Sequence, residues 1–245
     1  MKKIGVFGTC RIDNYNILDF KNITPQFPRI YQNNQFTINV RPLGYTTTSS
    51  DILQNLTLIS NGKYKEITDN FVFKNIFQTH HGTKILSDLD YEYLVLEICS
   101  VKKIVHKETN YIFPYEVDGK AYNETEFLTE TETFDETISN ILQIRDLIKC
   151  KIILLPPICV FNGPSIIGIH ENTIPSKVLE YRKDIFNRLK NVSNEKDIFL
   201  FDWNKIIKEK GCGVILVDQF HFTDFGKKYI SEKIYNTIIS TKDFE

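Results

Sequence analysis

Four short apolar runs punctuate this chain: Ile4 to Phe7, Tyr93 to Ile98 (YLVLEI), Lys151 to Leu155 and Ile198 to Phe201. Each has the length of a strand rather than a helix, and a continuous apolar run of that length is a strand covered on both faces. Helical patterns fill the intervals. Ile52, Leu53, Leu56 and Ile59 recur at helical spacing after the capping residues Ser49, Ser50 and Asp51, and Asn61-Gly62 closes that helix. Ile138, Ile141, Leu142, Ile144 and Leu147 mark a helix from about Phe134 to Lys149. Further helices are expected near 176–192, over 203–209 ending at Gly211, and over about 225–239. A weaker second strand covers Ile38 to Val40. Strands alternating with helices predict an α/β fold, a three-layer α/β/α arrangement around a central, mostly parallel sheet.

One domain is expected to hold all 245 residues, because no repeat, low-complexity tract or Gly/Ser linker divides them and 42% of them are hydrophobic. Residues 101–132, rich in Thr, Glu and Tyr, read as an irregular insertion with a hairpin turning at Asp118-Gly119. The acidic stretch from Glu124 to Glu136 reads as a solvated face. Thirty basic residues against thirty-one acidic ones leave no basic excess for nucleic acid. Lys102, Lys103, His106 and Lys107 read as a short solvated face. No stretch approaches a membrane span, and the apolar run after Lys2-Lys3 is too short for a secretion signal. Five cysteines, Cys10, Cys99, Cys150, Cys159 and Cys212, form no CxxC pair. That argues against a disulfide framework or structural zinc and suits a reduced cytoplasmic setting. His80-His81 have no partner at metal-ligand spacing. No metal or cofactor is expected, and the oligomeric state stays open.

In a parallel sheet the ligand sits beyond the carboxyl ends of the strands. Three such places carry chemistry. Gly8-Thr9-Cys10-Arg11 follows the first strand. A thiol at a helix start is shifted toward the thiolate, although a buried structural cysteine is an equally ordinary reading. Arg11 fits recognition of an anionic substrate group, activation of the thiol, or a structural ion pair. Leu43-Gly44-Tyr45-Thr46-Thr47 follows the second strand, where a glycine can present its amide to an oxyanion or simply make a turn. Asp218-Gln219-Phe220-His221 precedes the last helix, and a DxxH turn can set a carboxylate against an imidazole. His170 and Asn172 lie in a long loop expected to reach the same rim. GVFGTC lacks GxGxxG and GxxxxGK[ST], which argues against a nucleotide-binding loop.

Taken in order, these blocks resemble the SGNH (GDSL-like) hydrolase family. Gly8-Thr9-Cys10 occupies the slot of its GDS nucleophile motif, Gly44 with Thr46 that of its second block, and Asp218, His221 and Gly226 that of its last. The G-[ST]-C start is similar to that of GSCFA-type relatives found near polysaccharide biosynthesis functions. The resemblance implies a flavodoxin-like SGNH fold. It implies a cysteine nucleophile (Cys10) with a His221–Asp218 pair, and Gly44, Ser100, Arg11 and Thr46 around the oxyanion and substrate. The activity implied is acyl transfer, as esterase or O-acyltransferase, on an acylated carbohydrate or other small ester. One departure is the family's GxND block: after YLVLEI comes Cys99-Ser100-Val101-Lys102 with no Asn. Ser100 is the nearest donor there and Glu97 the nearest titratable group. The alternative is a catalytically impaired SGNH-fold binding or scaffold protein in glycan biosynthesis.

Overall fold

The computed structural model describes residues 1–9, 21–22, 29–63, 89–114, 124–169 and 173–240. The apolar runs form the sheet they predict. β1 (Lys2–Gly8), β4 (Phe36–Tyr45), β5 (Tyr93–Glu97), β9 (Lys151–Leu155) and β10 (Ile198–Leu200) run parallel. Two short strands, β2 (Lys21–Asn22) and β3 (Arg29–Gln32), add an antiparallel edge beside β4. The seven-stranded order is β10-β9-β5-β1-β4-β3-β2. Numbered by appearance, the parallel strands lie 2-1-3-4-5, the flavodoxin-like order.

Side chains alternate across this sheet. In β5, Tyr93 and Val95 join one core with Trp203, Ile215 and Ile230, while Leu94 and Leu96 join the other with Ile52, Ile141 and Ile185. α4 (Trp203–Lys210), α5 (Cys212–Ile215) and α6 (Asp224–Ser240) therefore cover one face. α1 (Ser49–Ser60), α2 (Phe134–Ile148) and most of α3 (Ser176–Val192) cover the other. The fold is α/β, a mostly parallel sheet between two layers of helices.

Two local expectations need correction. The cap of α1 is Thr48, one residue before the predicted trio, and Asp51 closes a capping box with it. Thr133 and Glu136 do the same for α2, and the backbone amide of Thr133 holds the Glu136 carboxyl below its usual range. Segment 101–132 is not irregular where it is described. It carries β6 (Lys102–His106), β7 (Ile112–Pro114) and β8 (Phe127–Thr131), paired antiparallel in the order β7-β6-β8. Period-2 patterning in three-to-five-residue strands is too short to stand out from a Thr- and Glu-rich background. The hairpin expected at Asp118-Gly119 lies outside the described residues.

Candidate active site

β1 and β5 are neighbours in space but not in sequence, because the chain leaves β1 for β4 on one side and then returns to β5 on the other. The crevice at their carboxyl ends is the topological switch point, the default ligand site of such a sheet. Thr9 follows β1 there and Glu97 ends β5. The Thr9 amide and hydroxyl both donate to Glu97 Oε2, each at 2.7 Å. Glu97 is fully buried. Cys10 and Arg11 come next in the chain and lie outside the described residues, as do His80, His81, His170 and Asn172.

β4 is interrupted beside this point. Val6 pairs with Val40 and Gly8 with Tyr45, so β1 advances two residues while β4 advances five. Gly44 falls within the extra residues, at the carboxyl end of a strand longer than predicted, in the kind of bulge that re-aims a backbone near a site. Thr46 follows. Its amide donates to the Gly8 carbonyl at 3.4 Å, and its hydroxyl is buried with no hydrogen-bond partner among the described residues. An unsatisfied buried hydroxyl costs about 1–3 kcal/mol, so a ligand or water that occupies it recovers real energy. The Thr47 carbonyl accepts the amides of Cys99 and Ser100, tying the loops after β4 and β5 together.

Ser100 is differently employed from what the sequence suggests. Its hydroxyl donates to the Lys102 carbonyl, accepts the Lys102 amide, and meets the Tyr181 hydroxyl at 3.0 Å; Tyr181 in turn accepts the Val101 amide at 2.8 Å. A hydroxyl has one proton to give. Ser100 spends it closing its own turn, so stabilising an oxyanion requires breaking that turn.

The DxxH segment forms a tight loop closed by a bridge between Leu216 and Phe222 and by the Val217 amide donating to the His221 carbonyl. Asp218 Oδ1 accepts the amides of Phe220 and His221, at 2.6 and 2.7 Å. Asp218 Oδ2 lies 2.8 Å from His221 Nδ1. Partial burial raises the Asp218 carboxyl, but the His221 ring and the two amides together outweigh it and hold it below its usual range. An ionised Asp218 makes Nδ1 the protonated nitrogen and leaves Nε2 as the basic edge. The His221 side chain is about half exposed, at 52%. Arg182, buried on α3, donates to the Ile158 carbonyl and lies under the Phe220 ring at 5.1 Å. It ties this loop to the segment following β9, at the carboxyl edge of the sheet. Trp203 packs edge-on against Phe222 at 5.1 Å.

After the loop, Thr223 caps α6 by accepting the Gly226 amide, while donating to the Val214 carbonyl. A Cβ on Gly226 would come within 2.4 Å of the Ile215 carbonyl oxygen, so only glycine lets α6 dock there.

Glu132 overturns the reading of 124–136 as a solvated face. β8 is largely exposed, but Glu132 is fully buried and caps α1 through the Ser50 amide at 2.7 Å and the Ser49 hydroxyl at 2.9 Å. Asp51 beside it is pushed up to about 7 by burial, with the charge of Glu132 adding to the rise against the Thr47 and Thr48 amides. This pair anchors the 46–48 loop from below. Spacing gives no hint of Glu132, since nothing local separates it from its exposed acidic neighbours. Glu97 does leave a signal, a lone carboxylate in a fully buried strand.

Ile166, Ile167 and Phe220 are exposed. Ile166 and Ile167 occupy a turn closed by the Gly168 amide on Ser165, and their own amides donate to the carbonyls of Leu216 and Val217. Burial pushes the Cys150 thiol to about 12 and Cys159 to about 11, which disfavours the reactive thiolate at both. Among the described residues no helix is long and apolar enough to cross a membrane.

Solved structures similar to this chain include an acetyl xylan esterase, with 12% identity and TM-score 0.44 over 96% of this chain and 99% of that one. A mutant acetyl-xylooligosaccharide esterase from Geobacillus shares 12% identity at TM-score 0.43, over 100% of this chain and 95% of that one. A catalytic mutant of an acetylxylan esterase from Geobacillus stearothermophilus gives 12% and 0.41 over the same shares. No family model matches the chain, and no curated protein matches it.

Proposed function

We propose that this chain is an acyl-transfer enzyme, an esterase or O-acyltransferase, acting on an acylated carbohydrate or other small ester. The carrying observation is the Asp218–His221 pair at 2.8 Å, on a loop fixed at the same edge of the sheet as the turn leading to Cys10. The order of GTC and DxxH along the chain, shared with the SGNH pattern, supports the same reading. Cys10 attacks the ester carbonyl as its thiol proton passes to His221 Nε2, and the carbonyl π electrons move to oxygen. Asp218 stabilises the imidazolium. The tetrahedral intermediate collapses to a thioester, and the departing alkoxide takes the proton from His221. Water or a sugar hydroxyl then attacks the thioester, giving its proton to His221 and releasing the thiol. Backbone amides at Cys10 and Gly44 serve the oxyanion, and the Thr46 hydroxyl and Arg11 serve the substrate. The reading is tested with aryl acetates: Cys10→Ala and His221→Ala are expected to abolish turnover, and iodoacetamide to inactivate the wild type. Unchanged turnover in Cys10→Ala overturns it.

The committed hydroxyl of Ser100 favours a second reading, a binding or scaffold protein with an impaired site, since one oxyanion donor is missing and each is worth about 10²–10³ in rate. That reading expects a substrate-like glycan ester to bind without turnover.

A further inference from the structure

Resting on Cys10 as nucleophile, we infer that Glu97 is a positioning residue that fixes the peptide leading into it. The backbone ladder between β1 and β5 ends at the pair Phe7 and Leu96. One residue further along β5, a side chain takes over from the backbone. Glu97 Oε2 accepts both the amide and the hydroxyl of Thr9 at 2.7 Å. The Gly8 carbonyl belongs to the same peptide unit as the Thr9 amide, and it accepts the Thr46 amide from the β4 side. The 8–9 peptide is thus held from both flanks of the switch point, by Glu97 through its N–H and by Thr46 through its C=O. The Thr9 hydroxyl bond adds a restraint on the side-chain rotamer. The next residue is Cys10.

A carboxylate buried in an apolar strand is costly unless its bonds recover the desolvation, and valine or leucine would fill the strand at less expense. What Glu97 supplies that they cannot is an acceptor at the end of β5, aimed at the turn after β1. The essential property is acceptance, so glutamine, whose carbonyl oxygen can take both Thr9 donors, substitutes for it and alanine does not.

The test compares full-length wild type, Glu97→Gln, Glu97→Ala and Thr9→Ala by aryl-acetate kinetics. In parallel, iodoacetamide alkylation of Cys10 is followed by peptide mass spectrometry, which separates it from half-buried Cys99 and buried Cys150, Cys159 and Cys212. Glu97→Gln is expected to keep kcat and the alkylation rate within about threefold. Glu97→Ala is expected to lose at least tenfold in kcat with KM within about twofold, since misplacing a reacting group by about 1 Å can cost 10²-fold, and to change the alkylation rate of Cys10. Thr9→Ala, which keeps the amide bond, falls between them and carries the test where Glu97→Ala fails to fold. A Thr9→Ala or Glu97→Ala protein with wild-type kcat and alkylation rate overturns the inference, as does a Gln variant as slow as the Ala variant. Full turnover in Cys10→Ala instead sinks the functional reading, while the alkylation arm still reports whether Glu97 governs residue 10.

Discussion

Gly226→Ala puts a methyl group where the Ile215 carbonyl oxygen stands 2.4 Å away. Carbon contacts relax only near 3.5 Å, so helix α6 and Ile215 must separate by about 1 Å. Neither side yields cheaply. The Ile215 carbonyl already accepts the Thr223 amide at 2.9 Å, and Thr223 caps α6 through the Gly226 amide at 2.8 Å. A 1 Å retreat takes the first of these bonds out of range in a buried setting, at about 1–3 kcal/mol. Overpacking adds about 1–3 kcal/mol. Alanine returns at most about 1 kcal/mol through its better helix propensity. The net loss is about 1–5 kcal/mol, or a fall of roughly 2–20 °C in Tm for a chain of this size. Differential scanning calorimetry reads it directly. Because Thr223 lies two residues after His221, aryl-ester turnover is expected to fall as well. A Tm equal to or above wild type refutes the reasoning, since it means the helix docks without that close approach.

Asp218→Asn keeps an oxygen for the Phe220 and His221 amides but sets an NH₂ against Nδ1, forcing the wrong imidazole tautomer. A drop of about 10²–10⁴ in kcat is expected, and a loss under threefold contradicts the assigned role. Asp51, at about 7 in the fold against about 3.9 unfolded, contributes stability that is complete below the unfolded value. The contribution is lost as pH rises toward 7, because the unfolded chain releases its proton first. Urea titrations are expected to show stability declining from pH 4 to 7 by up to about 4 kcal/mol on this account, and Asp51→Asn to flatten that limb; identical slopes in the two proteins refute it. Exposed Ile166 and Ile167, whose amides donate to the carbonyls of Leu216 and Val217 just before the DxxH turn, predict a preference for esters with some apolar length. Replacing both with serine is expected to lower the butyryl-to-acetyl ratio of kcat/KM by up to about tenfold, from about 0.8 kcal/mol per buried methylene, and an unchanged ratio removes them from the substrate path.

The strands β1, β5, β9 and β10 and the helices over 134–148, 176–192 and 224–240 were legible from the chain alone, because apolar period and length are local properties. The Asp218–His221 pair was legible for the same reason: three residues of separation in a tight turn bring the groups together whatever surrounds them. Other features depend on distant parts of the chain. Thr9 and Glu97 are 88 residues apart and meet only because the strand order reverses between β4 and β5. Ser49 and Glu132 are 83 apart, and only the docking of α1 against α2 separates Glu132 from the exposed acidic residues around it. Ser100 looked like a donor in sequence, yet its hydroxyl already donates to the Lys102 carbonyl and also meets Tyr181, 81 residues on, at 3.0 Å. Sequence fixes which residues can accept, donate or titrate. Which of them is left available is decided by burial and by the partners that crossing connections deliver, and a hydrogen bond already made cannot be read from composition or spacing.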